Sequence, residues 1–344
     1  MPAAPPRAGP ARTEWPVQIV IFLLSAAVSL TGSVVLVARL ERVGERVGAS
    51  EALLGLAAAL AADGPEITSS ITAISGGHGT IGIGVTLGSN VFNLAALLGL
   101  STLIAGRIGL HRRSIILEGA LAILLALIAV AVVAGAIGPG LGLVLGLLAF
   151  LPYVAYSALR PTVRPILSLP GRLSGWLARA LDEEESELAI AIRPQRGDWR
   201  DGVLVAVALV TVVGASVVME ETGSSLGSAA GLAPILIGGV ILAAVTSLPN
   251  AVAAIYLASK GRGAAMLSTA FNSNAINVIV GLTIPAAILG LGAPSQDAGF
   301  VALFYLGLTA LAVALALQAK GLNRRSGSAI IVAYLLFVAV LVTS

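Results

Sequence analysis

The sequence predicts an all-α integral membrane fold, in which ten transmembrane helices form two inverted repeats of five, with broken helices at the centre. Three observations lead to this prediction. Of the 344 residues, 57% are hydrophobic and 11% are charged, a balance typical of proteins with many membrane spans. The apolar runs fall into two groups that a polar stretch separates. A proline-containing motif interrupts a corresponding run in each group.

The composition also excludes several kinds of function. There is no cysteine, hence no disulfide or thiolate metal site, and the two histidines, His78 and His111, lie in short predicted loops. A membrane enzyme would need clustered histidines, cysteines or acids at one surface, and the sequence has no such cluster. The net charge of +3 is better explained by helix orientation in membrane lipid than by nucleic acid binding. We therefore expect neither an enzyme nor a cofactor.

Taken in order, the chain begins with a Pro/Ala-rich tail at 1–14 that we expect to be disordered. The first repeat, 15–158, has apolar runs of spanning length at about 16–38, 52–75, 80–105, 115–135 and 139–158. A polar loop occupies 159–201. The second repeat, 202–344, has runs at about 202–219, 233–258, 264–290, 299–318 and 327–343. The stretch 115–158 is too long for one span, so two helices are favoured there over one bent helix.

The positive side chains predict the orientation of these helices. With the N-terminus outside, the inner loops carry 18 of the 20 Lys and Arg residues, and only Arg7 and Arg12 lie outside. Glu220 and Glu221 follow the sixth run and are expected in an outer loop. The central loop is then cytoplasmic, and its acidic run at 182–187 is predicted to belong to a solvated linker rather than to a regulatory cation site. We expect a multi-pass protein of the cell membrane.

The stretch 61–70 gives the strongest indication of a functional site. Asp63 and Glu66 are three residues apart, so they face the same side of a helical turn. Acids inside a membrane span are functional candidates by default. Pro65 lies between them and has no N–H for the carbonyl of Ala61. Carboxylates and free carbonyl oxygens are the ligands that hard cations prefer.

A similar pattern returns 184 residues later, at Pro249. Glu66 precedes Asn93 by 27 residues, and Asn250 precedes Asn277 by the same interval. Each of these asparagines ends a Ser-Asn-x-x-Asn segment. Because each repeat has an odd number of helices, the second must insert in the opposite orientation. Inverted repeats with interrupted helices are typical of transporters that bind substrate near the membrane midplane.

The paired motifs resemble the α-repeats of the cation/Ca2+ antiporter superfamily, to which the sodium/calcium exchangers belong. The usual repeat is Gly-Thr-Ser-x-Pro-Glu followed by Gly-Ser-Asn-x-x-Asn or Asp, and the segments 246–249 and 88–93 match it well. The matching regions are 60–100 and 240–282. Asn250 stands where the family has an acid, and Asp63 where a serine or threonine is usual, so the chain looks like a divergent member.

The residues and the resemblance together predict one cation site. Its side chains are Asp63, Glu66, Ser89, Asn93, Thr246, Ser247, Asn250, Ser273 and Asn277. Backbone carbonyls of Ala61, Ala62 and Val245 are added candidates. Oxygen ligands suit Ca2+, Na+ or Mg2+. The resemblance implies a secondary antiporter that exports Ca2+ in exchange for Na+ or H+ by alternating access. The alternative is an antiporter for Mg2+ or a monovalent cation, coupled to H+, on the same fold.

Overall fold

The structure is a computed structural model of the chain, and it describes residues 15–47, 57, 59–158, 197–259, 263–293, 295–318 and 320–343. The predicted N-terminal tail, the acidic run at 182–187 and most of the central loop lie outside these residues. The described part is almost entirely helical, which confirms the predicted all-α class.

The helices follow the order of the apolar runs. In the first half they are α1 (Trp15–Val47), α2 (Gly64–Ser75), α3 (Gly79–Ala105), α4 (Arg112–Val133) and α5 (Pro139–Ala158). In the second half they are α6 (Trp199–Ala229), α7 (Pro234–Thr246), α8 (Leu248–Ser259), α9 (Gly263–Ile276, continuing through Asn277–Thr283 to Ile284–Leu289), α10 (Gln296–Gln318) and α11 (Arg324–Thr343). The gap between α4 and α5 confirms the two helices that were favoured over one bent helix.

Seven of the described helices are long and apolar enough to cross a membrane, and α7 with α8 makes an eighth if that bent pair is one span. The apolar part of α5, Pro139–Ala155, is shorter than these. Part of the run at 52–75 lies outside the described residues. A multi-pass membrane protein is therefore supported, and the number ten stays a prediction.

Two predicted boundaries are wrong because the helices continue beyond their apolar runs. α1 extends to Val47 rather than ending at 38, so Arg39 is helical. α6 extends to Ala229 rather than ending at 219, so Glu220 and Glu221 lie in a helix and not in an outer loop. Hydropathy marks only the apolar part of a helix, whereas backbone hydrogen bonds and tertiary packing continue the helix through polar turns.

α1 and α6 pack against each other along one side of the molecule. The hydroxyl oxygens of Ser29 and Ser216 are 2.7 Å apart, and Arg39 donates to Asp201 at 2.9 Å. Both helices expose large hydrophobic side chains, such as Leu24 and Val210, as lipid contact requires. In contrast, nearly all of α3 is buried, so α3 is the central helix of the bundle.

A two-stranded ribbon joins two of the loops. β1 (Arg107–Gly109) and β2 (Gly321–Asn323) pair antiparallel, with Arg107 opposite Asn323. The ribbon was not predicted, because strands of three residues are too short for a periodic signal. Gly263, at the start of α9, lies against the carbonyl of Gly109. At the opposite end of α3, Gly79 lies against the backbone of Leu291. Each end of the bundle is therefore held by contacts between loops from both halves.

Candidate cation site

The first element of the site is the break before α2. The Asp63 amide donates to the carbonyl of Ala59 at 2.9 Å, and Asp63 is then the residue that precedes α2. Pro65 has no N–H, so the carbonyl of Ala61 has no helical partner four residues on. Ser33 of α1 donates its hydroxyl to that carbonyl at 3.0 Å. The carbonyl that Pro65 frees is therefore held by α1, and a lone pair remains on it.

The second element is the break between α7 and α8. The two helices are bent by 44° at Ser247, and Pro249 stands at the same distance from this break as Pro65 does from Asp63. Thr246 and Ser247 are completely buried. Each break therefore places a polar turn inside the protein, beside the one backbone hydrogen bond that the proline cannot donate.

The two carboxylates contact side chains from the second half of the chain. Asp63 Oδ1 accepts two hydrogen bonds of 2.6 Å, from the Asn250 amide and from the Ser273 hydroxyl. Glu66 Oε1 accepts longer bonds, from Asn250 at 3.4 Å and from Ser247 at 3.5 Å. Asn250 thus bridges both acids, and their spacing of three residues brings them into one cluster, as the sequence predicts.

α3 and α9 cross at two asparagines from each helix. The amides of Asn90 and Asn274 each donate to the backbone carbonyl of the other at 3.1 Å. Asn93 then donates to Asn274 Oδ1, and Asn277 donates to Asn90 Oδ1, again at 3.1 Å. π-Helical turns start at Leu94 in α3 and at Asn277 in α9, and such turns are frequent at functional sites. The side-chain NH2 groups of Asn93 and Asn277 therefore hold α3 and α9 together, whereas their side-chain Oδ1 atoms accept no hydrogen bond from the described residues.

Ser89 and Thr246 form the other part of the cluster. Their hydroxyl oxygens are 3.4 Å apart. Thr246 donates to the carbonyl of Ala243 at 3.2 Å, and Ser89 Oγ lies 3.5 Å from the same oxygen. The Ala243 carbonyl was not among the predicted ligands, since a sequence does not show which carbonyl a hydroxyl approaches across two helices.

All nine predicted side chains are buried, and none is more than 1% exposed. Four of their oxygens accept no hydrogen bond from the described residues: Asp63 Oδ2, Glu66 Oε2, Asn93 Oδ1 and Asn277 Oδ1. An unpaired buried acceptor is unfavourable by about 1–3 kcal/mol, and by more if it is charged. A hard cation would satisfy such oxygens as their ligand. These carboxylate and amide oxygens, with the hydroxyls nearby, therefore fit Ca2+ or Na+.

Asn90 and Asn274 belong to the cluster but were not predicted. Each is the second residue of a Ser-Asn-x-x-Asn segment, which was the available signal.

Ser70 was also not predicted. Its hydroxyl lies 2.9 Å from the carbonyls of Gly82 and Gly281 and accepts a bond of 2.7 Å from Thr86, so it ties α2 to α3 and α9 one turn from Glu66.

The chain matches a described protein family over most of its length. The family model for the sodium/calcium exchanger protein matches residues 17–160 and 202–343. A curated relative, the sodium/potassium/calcium exchanger Nckx30C of Drosophila melanogaster, is 29% identical over 140 residues. That alignment includes 39% of this chain and 16% of the relative, so the chain spans only a small part of the relative's length.

Two solved structures share the fold at 18% sequence identity. The sodium-calcium exchanger NCX_Mj superposes with a TM-score of 0.60, over 94% of this chain and 98% of that chain. The H+/Ca2+ exchanger CAX superposes with a TM-score of 0.70, over 95% and 86%. At this identity the likeness concerns the fold alone. Because the family model covers both halves of the chain, the protein belongs to the sodium/calcium exchanger family, whose members are membrane transporters.

Proposed function

We propose that the protein is a secondary active antiporter that exchanges Ca2+ for Na+ or H+ by alternating access. The observation that carries this proposal is the pair of buried carboxylates, Asp63 and Glu66, each with one oxygen that has no donor among the described residues. Asp201 is paired with Arg39 and Arg42, whereas the hydrogen-bond partners of these two acids are the neutral side chains of Asn250, Ser273 and Ser247. Buried carboxylates need a compensating positive charge, and here a transported cation supplies it.

The charge of the cluster limits what it binds at one time. The two carboxylates balance one Ca2+ or two monovalent cations. Asn250, which bridges them, is neutral and adds no charge. Cations that need the same two carboxylates exclude one another. Release of one ion on one side of the membrane and capture of its competitor on the other then gives exchange. Protons that bind the carboxylates compete with metal ions in the same way.

A second candidate is an antiporter for Mg2+ or for a monovalent cation coupled to H+. Asn250 favours this alternative, since it stands where the usual motif of the resembled family has an acid and it donates hydrogen bonds to both Asp63 and Glu66. The family membership and the exchangers named above favour Ca2+. The transport measurement below distinguishes the two.

We further propose ten spans in two inverted repeats, 15–158 and 202–344, joined by the loop 159–201. The reciprocal hydrogen bonds support this, because the amides of Asn90 and Asn274 exchange equivalent bonds across α3 and α9. The equivalent breaks at Asp63 and Ser247 support it as well. So does the family model, which matches two segments of nearly equal length.

The proposed topology has the N-terminus outside and the central loop in the cytoplasm. Loops predicted to lie inside contact one another: β1 pairs with β2, Gly109 touches Gly263, and Gly197 donates to the carbonyl of Arg42. Loops predicted outside do the same, through Gly79 and Leu291. If one of these loops had been assigned to the wrong side, a predicted inner loop would contact a predicted outer loop. Instead, these contacts join loops of the same predicted side.

The proposal is tested by uptake of radioactive calcium into liposomes that contain the pure protein. An outward Na+ gradient and, separately, an outward H+ gradient drive the uptake. Asp63→Asn and Glu66→Gln are compared with matched controls at exposed acids, Asp297→Asn and Glu221→Gln. We expect uptake with one of the gradients, lost in both site variants and kept in both controls.

Each other outcome has a definite meaning. Uptake that survives in Glu66→Gln and Asp63→Asn would contradict the assignment of the site. Absence of calcium uptake with either gradient would contradict the calcium proposal. The same liposomes assayed with Mg2+ and with monovalent cations would then test the second candidate.

A further inference from the structure

A third carboxylate lies in the interior, outside the central cluster. Glu220 is 3% exposed, although α6 presents hydrophobic side chains to its surroundings over much of its length. Its Oε1 accepts a hydrogen bond of 2.9 Å from Ser224, one turn further along the helix. The next residue, Glu221, is exposed. Glu220 therefore faces the protein, whereas Glu221 does not.

The contacts of α6 locate Glu220 beside the broken helix α7. A Cβ on Gly227 would lie 2.6 Å from the Ile237 side chain, and a Cβ on Gly223 would lie 2.9 Å from the Leu242 side chain. From Gly227 back to Gly223 on α6, the contact shifts from Ile237 on to Leu242 on α7. The two helices therefore run antiparallel here. One turn further back, Glu220 is opposite the last turn of α7. That turn supplies the Thr246 hydroxyl and the Ala243 carbonyl to the central cluster.

No positive side chain of the described residues is placed to balance Glu220. α1, α2 and α7 pack against α6, and Phe22 of α1 and Leu242 of α7 meet it at Gly223, next to the turn of Glu220. α7 has no ionisable residue, and α2 with its preceding residue offers only Asp63 and Glu66. The charged residues of α1 begin at Arg39, which pairs with Asp201 at the other end of α6. Asp201 and Glu220 are separated by about 28 Å along the helix.

Such a carboxylate needs a positive charge from solution when it is ionised, because one hydroxyl donor does not compensate a buried charge. Acidic side chains inside membrane spans commonly mark ion pathways. A carboxylate and a hydroxyl provide few ligands, so a hard cation bound there keeps part of its water. This suits a cation in passage and not one held tightly.

We propose that Glu220 and Ser224 form a relay position, where the transported hard cation binds on its way between the C-terminal end of α6 and the central cluster. The proposal rests on the proposed function, since it assumes that a cation is transported. The relay serves one side of the membrane only, which is the outer side in the proposed topology. Its removal should therefore affect cation capture from that side and leave capture from the other side unchanged.

The first experiment measures transport in proteoliposomes of Glu220→Gln, Ser224→Ala and the matched control Glu221→Gln. The half-saturating Ca2+ concentration is determined separately for each face. We expect Glu220→Gln to raise it about tenfold at the face that contains the C-terminal end of α6, which corresponds to the loss of one weak cation contact. Ser224→Ala should produce a smaller rise at the same face, and Glu221→Gln none.

The second experiment needs no transport. A hydrophobic carbodiimide labels buried carboxyl groups, and mass spectrometry measures the labelling rate at Glu220. The background is Asp63→Asn with Glu66→Gln, so that the central cluster does not contribute. We expect Na+ or Ca2+ to slow the labelling of Glu220, whereas a bulky organic cation should have no effect.

The outcomes separate this inference from the proposed function. Labelling of Glu220 that neither Na+ nor Ca2+ slows overturns the relay. In an active protein, equal half-saturation for Glu220→Gln and Glu221→Gln also overturns it. If the unmodified protein transports no cation yet labelling of Glu220 is slowed by one, the proposed function fails while cation binding at Glu220 stands.

Discussion

Asn250 determines the electrostatics of the central cluster. It donates a short hydrogen bond of 2.6 Å to Asp63 and a longer one of 3.4 Å to Glu66. An acid at this position would remove both donors and add a third negative charge to a region that excludes water. The neutral amide therefore stabilises the two carboxylates when no cation is bound, and it limits the charge of the site to two.

Replacement of Asn250 by Asp should make the stability of the protein depend more strongly on cations. Without cations, three clustered carboxylates repel one another and the melting temperature falls. Saturating Ca2+ should then raise the melting temperature of Asn250→Asp more than that of the unmodified protein. A ligand present at 100 times its Kd stabilises by about 2.7 kcal/mol, which is readily measured by thermal unfolding in detergent.

Asn272→Asp is the matched control for this measurement. Asn272 is buried, but its side-chain amide donates to the hydroxyls of Tyr153 and Ser268 rather than to the two acids. We expect this variant to be destabilised without recovery on addition of Ca2+. An equal Ca2+ effect in both variants would mean that Asn250 is not part of a cation site.

The sequence allowed the nine side chains of the cluster to be proposed, because the equal spacing of two proline breaks and two Ser-Asn-x-x-Asn segments selects them. It did not reveal Asn90 or Ser70. The partners of these residues lie on other helices, at Asn274, Gly82 and Gly281. Which face of one buried helix meets which face of another depends on packing, and a wholly apolar helix shows little amphipathic pattern from which its packing face could be predicted.

At the scale of helices, the site depends on the close approach of α3 and α7. Gly88, which precedes Ser89, lies against the backbone of Gly239, so that a Cβ on Gly88 would be 2.6 Å from the Cα of Gly239. Gly84 meets the same part of α7 one turn away. Only glycine permits two helix backbones to approach so closely, and this contact holds the Ser89 and Thr246 hydroxyls together.

Gly88→Ala should therefore push α3 and α7 apart and separate the two sides of the site. We expect a loss of stability of about 1–3 kcal/mol, as found for overpacked cores, together with a loss of cation transport. Gly214→Ala is the control, since a Cβ there meets nothing within 4 Å and alanine is the better helix former. Retained transport by Gly88→Ala would show that α3 and α7 need not touch for the site to form.

The helix boundaries show where pattern alone was insufficient. The apolar runs located the described helices, and their ends agreed closely for α3 and α5. The errors fell on α1 and α6, whose polar turns remain helical because they pack on neighbouring helices. Arg39 of α1 bonds to Asp201, and Gly223 of α6 lies against Leu242. Glu220, which hydropathy assigns to a loop, is buried within the polar turn of α6.

At the scale of the whole molecule, the loops at each end touch loops of the same predicted side. Arg107 in β1 and Asn323 in β2 lie opposite each other, although more than 200 residues separate them in sequence. His78 and Lys320 are both exposed, and they lie at opposite ends of the bundle. The absence of cysteine means that a single introduced thiol reports on its own position without a background.

The proposed topology predicts how such thiols react in intact cells. A membrane-impermeant maleimide should label His78→Cys from outside, and it should label Lys320→Cys only after the membrane is permeabilised. The reverse pattern would place the N-terminus inside and would contradict the distribution of Lys and Arg. Labelling of both thiols from one side would contradict the spans themselves.

The pair Arg107→Cys and Asn323→Cys supplies an independent check, because cross-strand neighbours are within reach of a disulfide. We expect oxidation to join them. Arg107 lies in the third loop of the first half and Asn323 in the fourth loop of the second half. Since successive loops alternate sides, these two loops share a side only if the two halves have opposite orientations.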